Sequence, residues 1–210
     1  MKALLDDIRN LLNPDIRLNQ LKLIARENGL KLKARKNLDS DQISTFQFEL
    51  FKGRSGKRMK AILYITVRGL IGSIRVYDFH YFGDLGTNTT TVFEYYNKEF
   101  RFPVFNIKPK SSSFLKSFFE EEEPVIQTAT PEFQASYTLQ TADAFKLKQM
   151  LTEEFLDKYG DESGWAFEGS GPAFIYYKHK DQIASNRLME RVERFAHLIH
   201  DLENGKDFVN

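Results

Sequence analysis

The feature that most constrains this chain is a series of short apolar or alternating segments between residues 45 and 107, separated by brief turns. The turns at 52–57, 69–72 and 83–86 each contain glycine. Parallel neighbours in a sheet need a crossover of about a dozen residues or more, so connections this short predict an antiparallel meander. Its predicted strands are 45–51, 59–67, 73–82, 87–96 and 100–107.

Helical periodicity stands at both ends of the chain. Residues 1–12 predict an amphipathic helix, and a second helix is expected from Pro14 to about residue 28, with Gly29 just beyond its end. A last helix is expected from about Asp181, because apolar residues there recur every three or four positions and would dock on the sheet. Its stripe consists of Ala184, Leu188, Val192, Phe195, Ile199 and Leu202.

The region between the meander and the last helix predicts mixed elements. A short helix at 111–119 and an acidic, proline-containing loop at 120–131 come first. A strand at 133–140 follows, and Thr141 then caps a further helix. The apolar stripe of that helix is Ala144, Leu147, Leu151 and Phe155. Two aromatic strands complete the region, at 164–168 and 173–178.

Together these patterns predict an α+β fold, with a largely antiparallel β-sheet, packing helices, an N-terminal helical segment and a C-terminal docking helix. We divide the chain into a helical segment at 1–29 and a single domain at 30–210, with 120–131 as an alternative internal boundary. A chain of 210 residues buries enough surface to fold without a disulfide or a metal.

Composition narrows the classes of function. The chain carries 30 Lys and Arg residues against 29 Asp and Glu residues, so it lacks the basic excess typical of a nucleic-acid binder. It has no cysteine, which removes thiolate nucleophiles and Cys-based zinc sites. No stretch approaches the ~20 apolar residues that cross a bilayer, and residues 1–12 do not resemble a signal peptide. We therefore expect a cytoplasmic chain with no cofactor and no metal.

One predicted strand carries the strongest candidate for chemistry. Asp78 and His80 are two positions apart, so they share a face of the strand, and Asp84 follows in the next turn. A carboxylate could orient the imidazole, or both could bind a metal, but the pattern supplies neither a nucleophile nor a third ligand. The alternative is a polar, solvent-facing side of the sheet with aromatic residues on the other side.

A basic segment surrounds the glycine-containing turn at 52–57. It consists of Arg54, Lys57, Arg58 and Lys60. The spacing departs from a phosphate-binding loop, because Phe51 stands where that motif requires glycine and Arg58 where it requires Ser or Thr. We expect a hairpin turn whose basic side chains contact an acidic partner or a lipid headgroup.

Two further patterns predict structure rather than chemistry. Ser113 and Lys116 have the spacing of a serine nucleophile and its lysine, but the motifs that accompany this pair are absent. Four polar residues of the last helix lie opposite its apolar stripe, and we expect them to face water rather than bind zinc. They are Glu193, His197, His200 and Asp201.

Two stretches resemble a group of bacterial proteins, some of them membrane-tethered, that are known only as domains of unknown function. The similar positions are 76–81, 91–92, 102–109, Phe133, Tyr137, Asp143 and 150–152. The chain departs from that group at Glu153, where a proline is expected, and it lacks the transmembrane helices of many members. The resemblance implies no activity. It implies a module that works near a membrane or within an assembly.

The function predicted on these grounds is a non-catalytic binding or scaffolding module, within an assembly near a membrane. Self-association through the first helix would use its apolar residues Leu4, Leu5, Ile8, Leu11 and Leu12. The alternative is an enzyme of unknown class with a polar site around Asp78 and His80. A third hypothesis is peripheral contact with a membrane through the basic segment, and nucleic acid is not an expected partner.

Overall fold

The computed structural model describes residues 14–36, 48–52, 54–83, 86–110, 130–141, 143–160 and 164–204. The helices predicted at 1–12 and 111–119 and most of the loop at 120–131 lie outside the described residues. The five apolar residues predicted for self-association lie outside them too, as do Asp84, Ser113 and Lys116.

An eight-stranded sheet organises the described residues, and all its neighbouring strands are antiparallel. The strands are β1 (Lys31–Lys36), β2 (Ser55–Ile65), β3 (Ser73–Gly83), β4 (Gly86–Tyr96), β5 (Phe102–Pro109), β6 (Tyr137–Thr141), β7 (Trp165–Gly171) and β8 (Ala173–Lys178). The predicted α+β fold with a largely antiparallel sheet is confirmed.

The order of the strands departs from a simple meander. β2, β3 and β4 are neighbours in sequence order, as predicted, but β4 then pairs with β8 rather than with β5. β7 and β8 form a hairpin that lies between β4 and β5, and β6 forms the edge beyond β5. The C-terminal hairpin therefore joins two groups of strands that come earlier in the chain.

Five helices of the described part share one side of this sheet. They are α1 (Pro14–Glu27), α2 (Pro131–Ser136), α3 (Ala144–Met150), α4 (Glu153–Gly160) and α5 (Leu188–Asn204). Each contributes buried apolar side chains to the same core, so we call this side the helix-covered face. α1 begins at Pro14 and is followed by Gly29 at φ +63°, both as predicted.

The C-terminal helix docks on the sheet as its periodicity predicts. Its buried residues are Leu188, Val192, Phe195, Leu198, Ile199 and Leu202, and all but Leu198 belong to the predicted stripe. Phe195 lies 5.9 Å from Tyr176 and 6.1 Å from Phe174 between ring centroids, so α5 packs on the centre of β8. Ala184 precedes the helix, beside a 3-10 turn at Ser185–Arg187. α5 therefore begins several residues later than predicted.

The other side of the sheet, which we call the opposite face, buries a second core. A 3-10 turn at Glu49–Phe51 covers part of it. Phe51 meets Phe79 edge-on, with 4.6 Å between ring centroids. Because side chains alternate along a strand, β3 presents Tyr77 and Phe79 here, and the alternate residues Asp78 and His80 to the helix-covered face.

Three predictions in the first half of the chain were wrong. Residues 49–51 form the 3-10 turn and not the end of the strand predicted at 45–51. β1 was missed because its Lys and Arg residues interrupt the apolar alternation typical of a strand. β2 begins at Ser55, so the turn predicted at 52–57 is shorter than expected.

The strand predicted at 133–140 was also partly wrong. α2 occupies its first half, with Thr130 as the cap, and β6 begins only at Tyr137. Thr130 accepts a hydrogen bond from the backbone N–H of Phe133 at 3.4 Å, which favours the helical start over a longer strand.

The helix predicted to begin after Thr141 is two helices. Asp143 caps α3 by accepting a hydrogen bond from the backbone N–H of Lys146 at 3.0 Å. Thr141 instead donates to the carbonyl oxygen of Val104 at 2.8 Å. Thr152 accepts from the backbone N–H of Phe155 at 3.2 Å and starts α4, so the predicted stripe is divided between the two helices.

Candidate functional site

Strand register brings the predicted polar residues together on the helix-covered face. One row across three adjacent strands consists of Arg58, His80 and Thr89. The next row consists of Lys60, Asp78 and Thr91. Asp78 and His80 therefore share a face, as the strand periodicity predicts.

Asp78 is the centre of a closed cluster, the Asp78 clamp, which consists of Arg17, Asp78, Thr91 and Gln182. Arg17 donates from Nε to Oδ2 at 3.0 Å and from its second terminal nitrogen to Oδ1 at 3.2 Å. Thr91 donates to Oδ1 at 2.8 Å, and Gln182 donates to Oδ2 at 2.9 Å. Each carboxylate oxygen thus accepts two hydrogen bonds, and Asp78 is 2% exposed.

The charge on Asp78 is stabilised where it lies. Burial by itself would raise the pKa of this carboxyl, but the Arg17 charge and the hydrogen bonds from Arg17, Thr91 and Gln182 outweigh burial and hold the pKa below its usual range. An ionised carboxylate with every lone-pair direction occupied is a poor general base. The site therefore has the chemistry of a structural ion pair.

The clamp joins three parts of the chain. Arg17 also donates to the Ser185 hydroxyl at 2.7 Å, and that hydroxyl donates to Gln20 at 2.8 Å. Thr91 accepts from the backbone N–H of Ile183 at 3.0 Å. α1 and the segment before α5 are therefore both fastened to the sheet through buried polar contacts.

Sequence reasoning missed Arg17, although a signal was present. Arg17, Leu21 and Ala25 recur every four residues and all are buried, so they form one row on the inner side of α1. A charged side chain on such a row requires a buried partner of opposite charge. Asp78 is that partner, 61 positions away.

His80 is half-buried and separate from the clamp. Its Nδ1 lies 3.0 Å from the Thr89 hydroxyl. Burial is the main cause that lowers its pKa to about 4; Asp78 opposes this, and the charges of Lys60, Arg17 and Arg58 add to it. The imidazole is therefore neutral and weakly basic near pH 7, which does not favour general-base catalysis. The predicted solvent-facing side is also wrong, since Asp78 is buried.

The four basic residues do not form the predicted hairpin tip. Lys57, Arg58 and Lys60 lie on β2, and Arg58 is exposed on the helix-covered face. Arg54 lies instead over the Tyr81 ring of the opposite face, at 4.2 Å from its centroid, and donates to the Leu50 carbonyl oxygen at 2.5 Å.

The polar residues of the last helix face outwards as predicted. Glu193, His197 and His200 are exposed. Asp201 is half-buried, and it accepts hydrogen bonds from Lys158 at 2.6 Å and from Tyr159 at 2.7 Å. Within the described ranges, no three His, Asp or Glu side chains are arranged as metal ligands.

A second polar row crosses the opposite face. Strand register places four polar residues and one isoleucine directly beside one another on adjacent strands. In order across the sheet they are Arg75, Glu94, Ile175, Glu168 and Asn106. Arg75 forms an ion pair with Glu94, which is 1% exposed. This row was not predicted, because its members are spread over five strands and only the strand order brings them together.

Glu168 fastens the 3-10 turn to the opposite face. It accepts hydrogen bonds from the backbone N–H groups of Glu49 at 2.5 Å and Leu50 at 3.1 Å, and from the Tyr177 hydroxyl at 2.5 Å. Burial raises its pKa, whereas the Lys108 charge and these hydrogen bonds act in the other direction. Glu168 thus fastens the 3-10 turn to the sheet, as Asp78 fastens α1.

Several polar atoms of the opposite face stay unsatisfied among the described residues. They are Nε of Arg75, the hydroxyl of Tyr77, Oε2 of Glu94 and Nδ2 of Asn106. Burial raises the pKa of Tyr77 well above its usual value, and the neighbouring Glu94 adds to this rise. The phenol therefore stays protonated.

The fold, but not the sequence, is similar to a known protein. No family model and no curated protein matches the chain. The crystal structure of the mycobacterial trehalose monomycolate transport factor A, TtfA, aligns with a TM-score of 0.61 and 9% sequence identity. The alignment covers 90% of this chain and 94% of that one. At this identity the likeness shows a shared fold.

In the part of the chain that the structure describes, no helix combines the length and the apolar character required to span a bilayer.

Proposed function

We propose that this chain is a non-catalytic accessory module that binds or scaffolds components of an assembly near a membrane. The observation that carries the proposal is the shared fold, which extends over 90% of this chain and 94% of a protein named as a transport factor. The likeness includes almost the whole of both chains rather than one borrowed domain, and we extend it by analogy to a comparable kind of role.

The Asp78 clamp supports the non-catalytic part of this proposal. The carboxylate most favoured as a catalytic group by its position accepts four hydrogen bonds and is almost inaccessible. A catalytic carboxylate needs an open direction towards its substrate. The interpretation as an enzyme centred on Asp78 and His80 is therefore the weaker alternative.

The resemblance to bacterial proteins of unknown function, some of them membrane-tethered, favours the same setting. It belongs to the proposal as a prediction, together with a bacterial origin, a cytoplasmic location and self-association through residues 1–12. Removal of residues 1–12, followed by measurement of mass in solution, tests the self-association: a lower mass is expected, and an unchanged mass contradicts it.

Cross-linking in the cells that produce the chain tests the main proposal. Membrane and soluble fractions are separated after treatment with a short chemical cross-linker. We expect the full chain to be recovered with membranes in a discrete cross-linked assembly. Recovery of the chain without cross-linked partners and outside the membrane fraction would contradict the proposal.

A pair of variants separates scaffolding from catalysis. His80→Ala removes the imidazole, whereas Thr89→Val removes only the hydrogen-bond partner at its Nδ1. A scaffold should tolerate both variants alike in complementation of a strain that lacks the chain. Loss of function in His80→Ala, with full function in Thr89→Val, would favour the enzyme.

A further inference from the structure

An exposed aromatic residue lies next to the cationic rows of the helix-covered face. Phe82 is 57% exposed, although it occupies β3 on the same side as Asp78 and His80. Its cross-strand neighbours are Ser55 and Thr87, which offer it little apolar contact. Phe82 therefore presents a large apolar side chain to solvent on this face.

Two cations lie on the same face of the neighbouring strand β2, one diagonal to Phe82 and the other farther along the strand. Arg58 is the cross-strand neighbour of His80, and Lys60 is the neighbour of Asp78. Arg58 is exposed and Lys60 is half-buried. We call the surface formed by Arg58, Lys60 and Phe82 the Phe82 patch.

Charges of both signs act on His80 at the edge of this patch. Apart from burial, the charges that lower its pKa are Lys60, Arg17 and Arg58. The opposing charge is Asp78, which is already paired with Arg17. Arg17 and Asp78 offset each other within the clamp, so Lys60 and Arg58 are the charges left to face an anion.

A comparable surface on α3 lacks this excess of positive charge. Phe145 is 75% exposed and stands beside the exposed Lys146 and Lys148. The exposed carboxylate of Asp143 caps the same helix, and Glu153 and Glu154 begin the next one. This α3 patch is the matched control, since it has an exposed phenylalanine and two cations but adjacent acids.

We propose that Arg58, Lys60 and Phe82 bind the surface of an anionic lipid bilayer, with the two cations at the headgroups and the Phe82 ring at the acyl boundary. Long basic side chains beside an aromatic ring suit this interface, because their stems lie along apolar surface while their charges stay in water. The proposal rests on the proposed function near a membrane and names the membrane itself as the partner of this patch.

Co-sedimentation of the full chain with lipid vesicles tests the proposal. Vesicles of phosphatidylglycerol and phosphatidylcholine are compared with vesicles of phosphatidylcholine alone, at low and at high salt. We expect binding to the anionic vesicles at low salt, and weaker binding at high salt because ions screen the attraction. Equal binding to both kinds of vesicle, or no binding, overturns the proposal.

Variants locate the contact. Arg58→Gln with Lys60→Gln should lower the partition coefficient about fivefold for each cation removed, and Phe82→Ser should lower it several-fold. The matched variants on α3, Lys146→Gln with Lys148→Gln and Phe145→Ser, should leave it within about twofold of the unmodified chain. Equal losses from the two sets of variants contradict a specific patch.

A second measurement uses variants that keep an aromatic ring at each position. Its result therefore does not depend on whether Phe82→Ser folds. Phe82→Trp places an indole at the patch, and Phe145→Trp places one on α3. Lipids brominated near the acyl boundary should quench the first indole and not the second, and the native Trp165 is 4% exposed. Absence of quenching at position 82 overturns the proposal.

The two proposals fail in different ways. If the chain cross-links into an assembly at the membrane but does not bind vesicles, the lipid contact is wrong and the accessory function stands. If cross-linking captures an acidic protein at the Phe82 patch, that partner replaces the lipid. If the chain neither binds vesicles nor enters an assembly, both proposals fail.

Discussion

Two buried carboxylate–arginine pairs lie on the two faces of the sheet, and they differ in what surrounds them. Asp78 on the helix-covered face pairs with Arg17 of α1 and has all its oxygens satisfied. Glu94 on the opposite face pairs with Arg75 of the next strand, and its Oε2 has no partner among the described residues. The first pair joins elements distant in sequence, whereas the second joins two strands that are already paired.

This difference indicates where polar interactions determine tertiary structure. The helix-covered face receives donors from α1 and from the segment before α5, so its buried charge is saturated. Within the described residues, the polar row of the opposite face has fewer donors from outside the sheet, and strand geometry alone does not place a group at every lone pair. A buried charge is thus an anchor only where a separate element supplies its partner.

The largest expected effect comes from breaking the Asp78 clamp. Arg17→Met leaves an unpaired charge at Asp78 and should lower the free energy of unfolding by about 3–5 kcal/mol in denaturant titration. Hydrogen exchange should also accelerate along α1. The double variant Arg17→Met with Asp78→Leu should recover much of the loss, because it removes both charges. A loss below about 1 kcal/mol for the single variant would show that the clamp is not an anchor.

A smaller effect is expected from acid, since each face holds one half-buried histidine. Burial is the main cause that lowers the pKa of His80 and of His179 from 6.5 to about 4. The unfolded chain then binds protons more readily than the folded one, so stability falls as pH decreases from 6.5 through about 4. The loss should be on the order of 1–3 kcal/mol for each imidazole, after allowance for partial exposure.

Measurement of the free energy of unfolding against pH checks this sign. His80→Gln and His179→Gln should each flatten the slope between pH 6.5 and about 4. His197→Gln on the exposed side of α5 is the control for the substitution itself. An unchanged slope in both buried variants would contradict the assignment of acid sensitivity to these imidazoles.

The smallest effects compare two tyrosines of the opposite face. Tyr177 donates its hydroxyl to Glu168, so Tyr177→Phe should cost about 1–2 kcal/mol in the free energy of unfolding. The Tyr77 hydroxyl is buried beside Glu94 but forms no hydrogen bond of normal geometry among the described residues, so Tyr77→Phe should be neutral or stabilising by up to about 1 kcal/mol. If Tyr77→Phe destabilises as much as Tyr177→Phe, the two sites do not differ as described.

The parts of the fold that follow from local pattern could be predicted from the sequence. β3, β4 and β8 are alternating, β-branched or apolar runs next to turn residues, and α5 has a regular apolar stripe, so their positions agree with the predictions to within a few residues. β1 could not be predicted in this way, because its lysines leave few apolar positions and its strand identity comes from pairing with β2.

The candidate site shows the same limit. Strand periodicity was enough to place Asp78 and His80 on one face. It was not enough to decide whether that face was exposed to solvent or buried under other elements. The answer depends on Arg17 and Gln182, which approach Asp78 from positions 61 and 104 residues away. Arg17 had a recognisable signal in its helical row, whereas Gln182 precedes α5 in an irregular segment and had none.

The position of the β7–β8 hairpin determines when the sheet can be completed. β4 and β5 are joined by a short connection, yet each pairs with a strand of the hairpin instead of with the other. During translation, the open edge of β5 has no partner until β7 has been synthesised to Gly171, and that of β4 has none until β8 has been synthesised to Lys178. Unpaired strand edges are templates for aggregation, so the nascent chain is most vulnerable during that interval. Any truncation before β8 leaves two incomplete sheets in place of one.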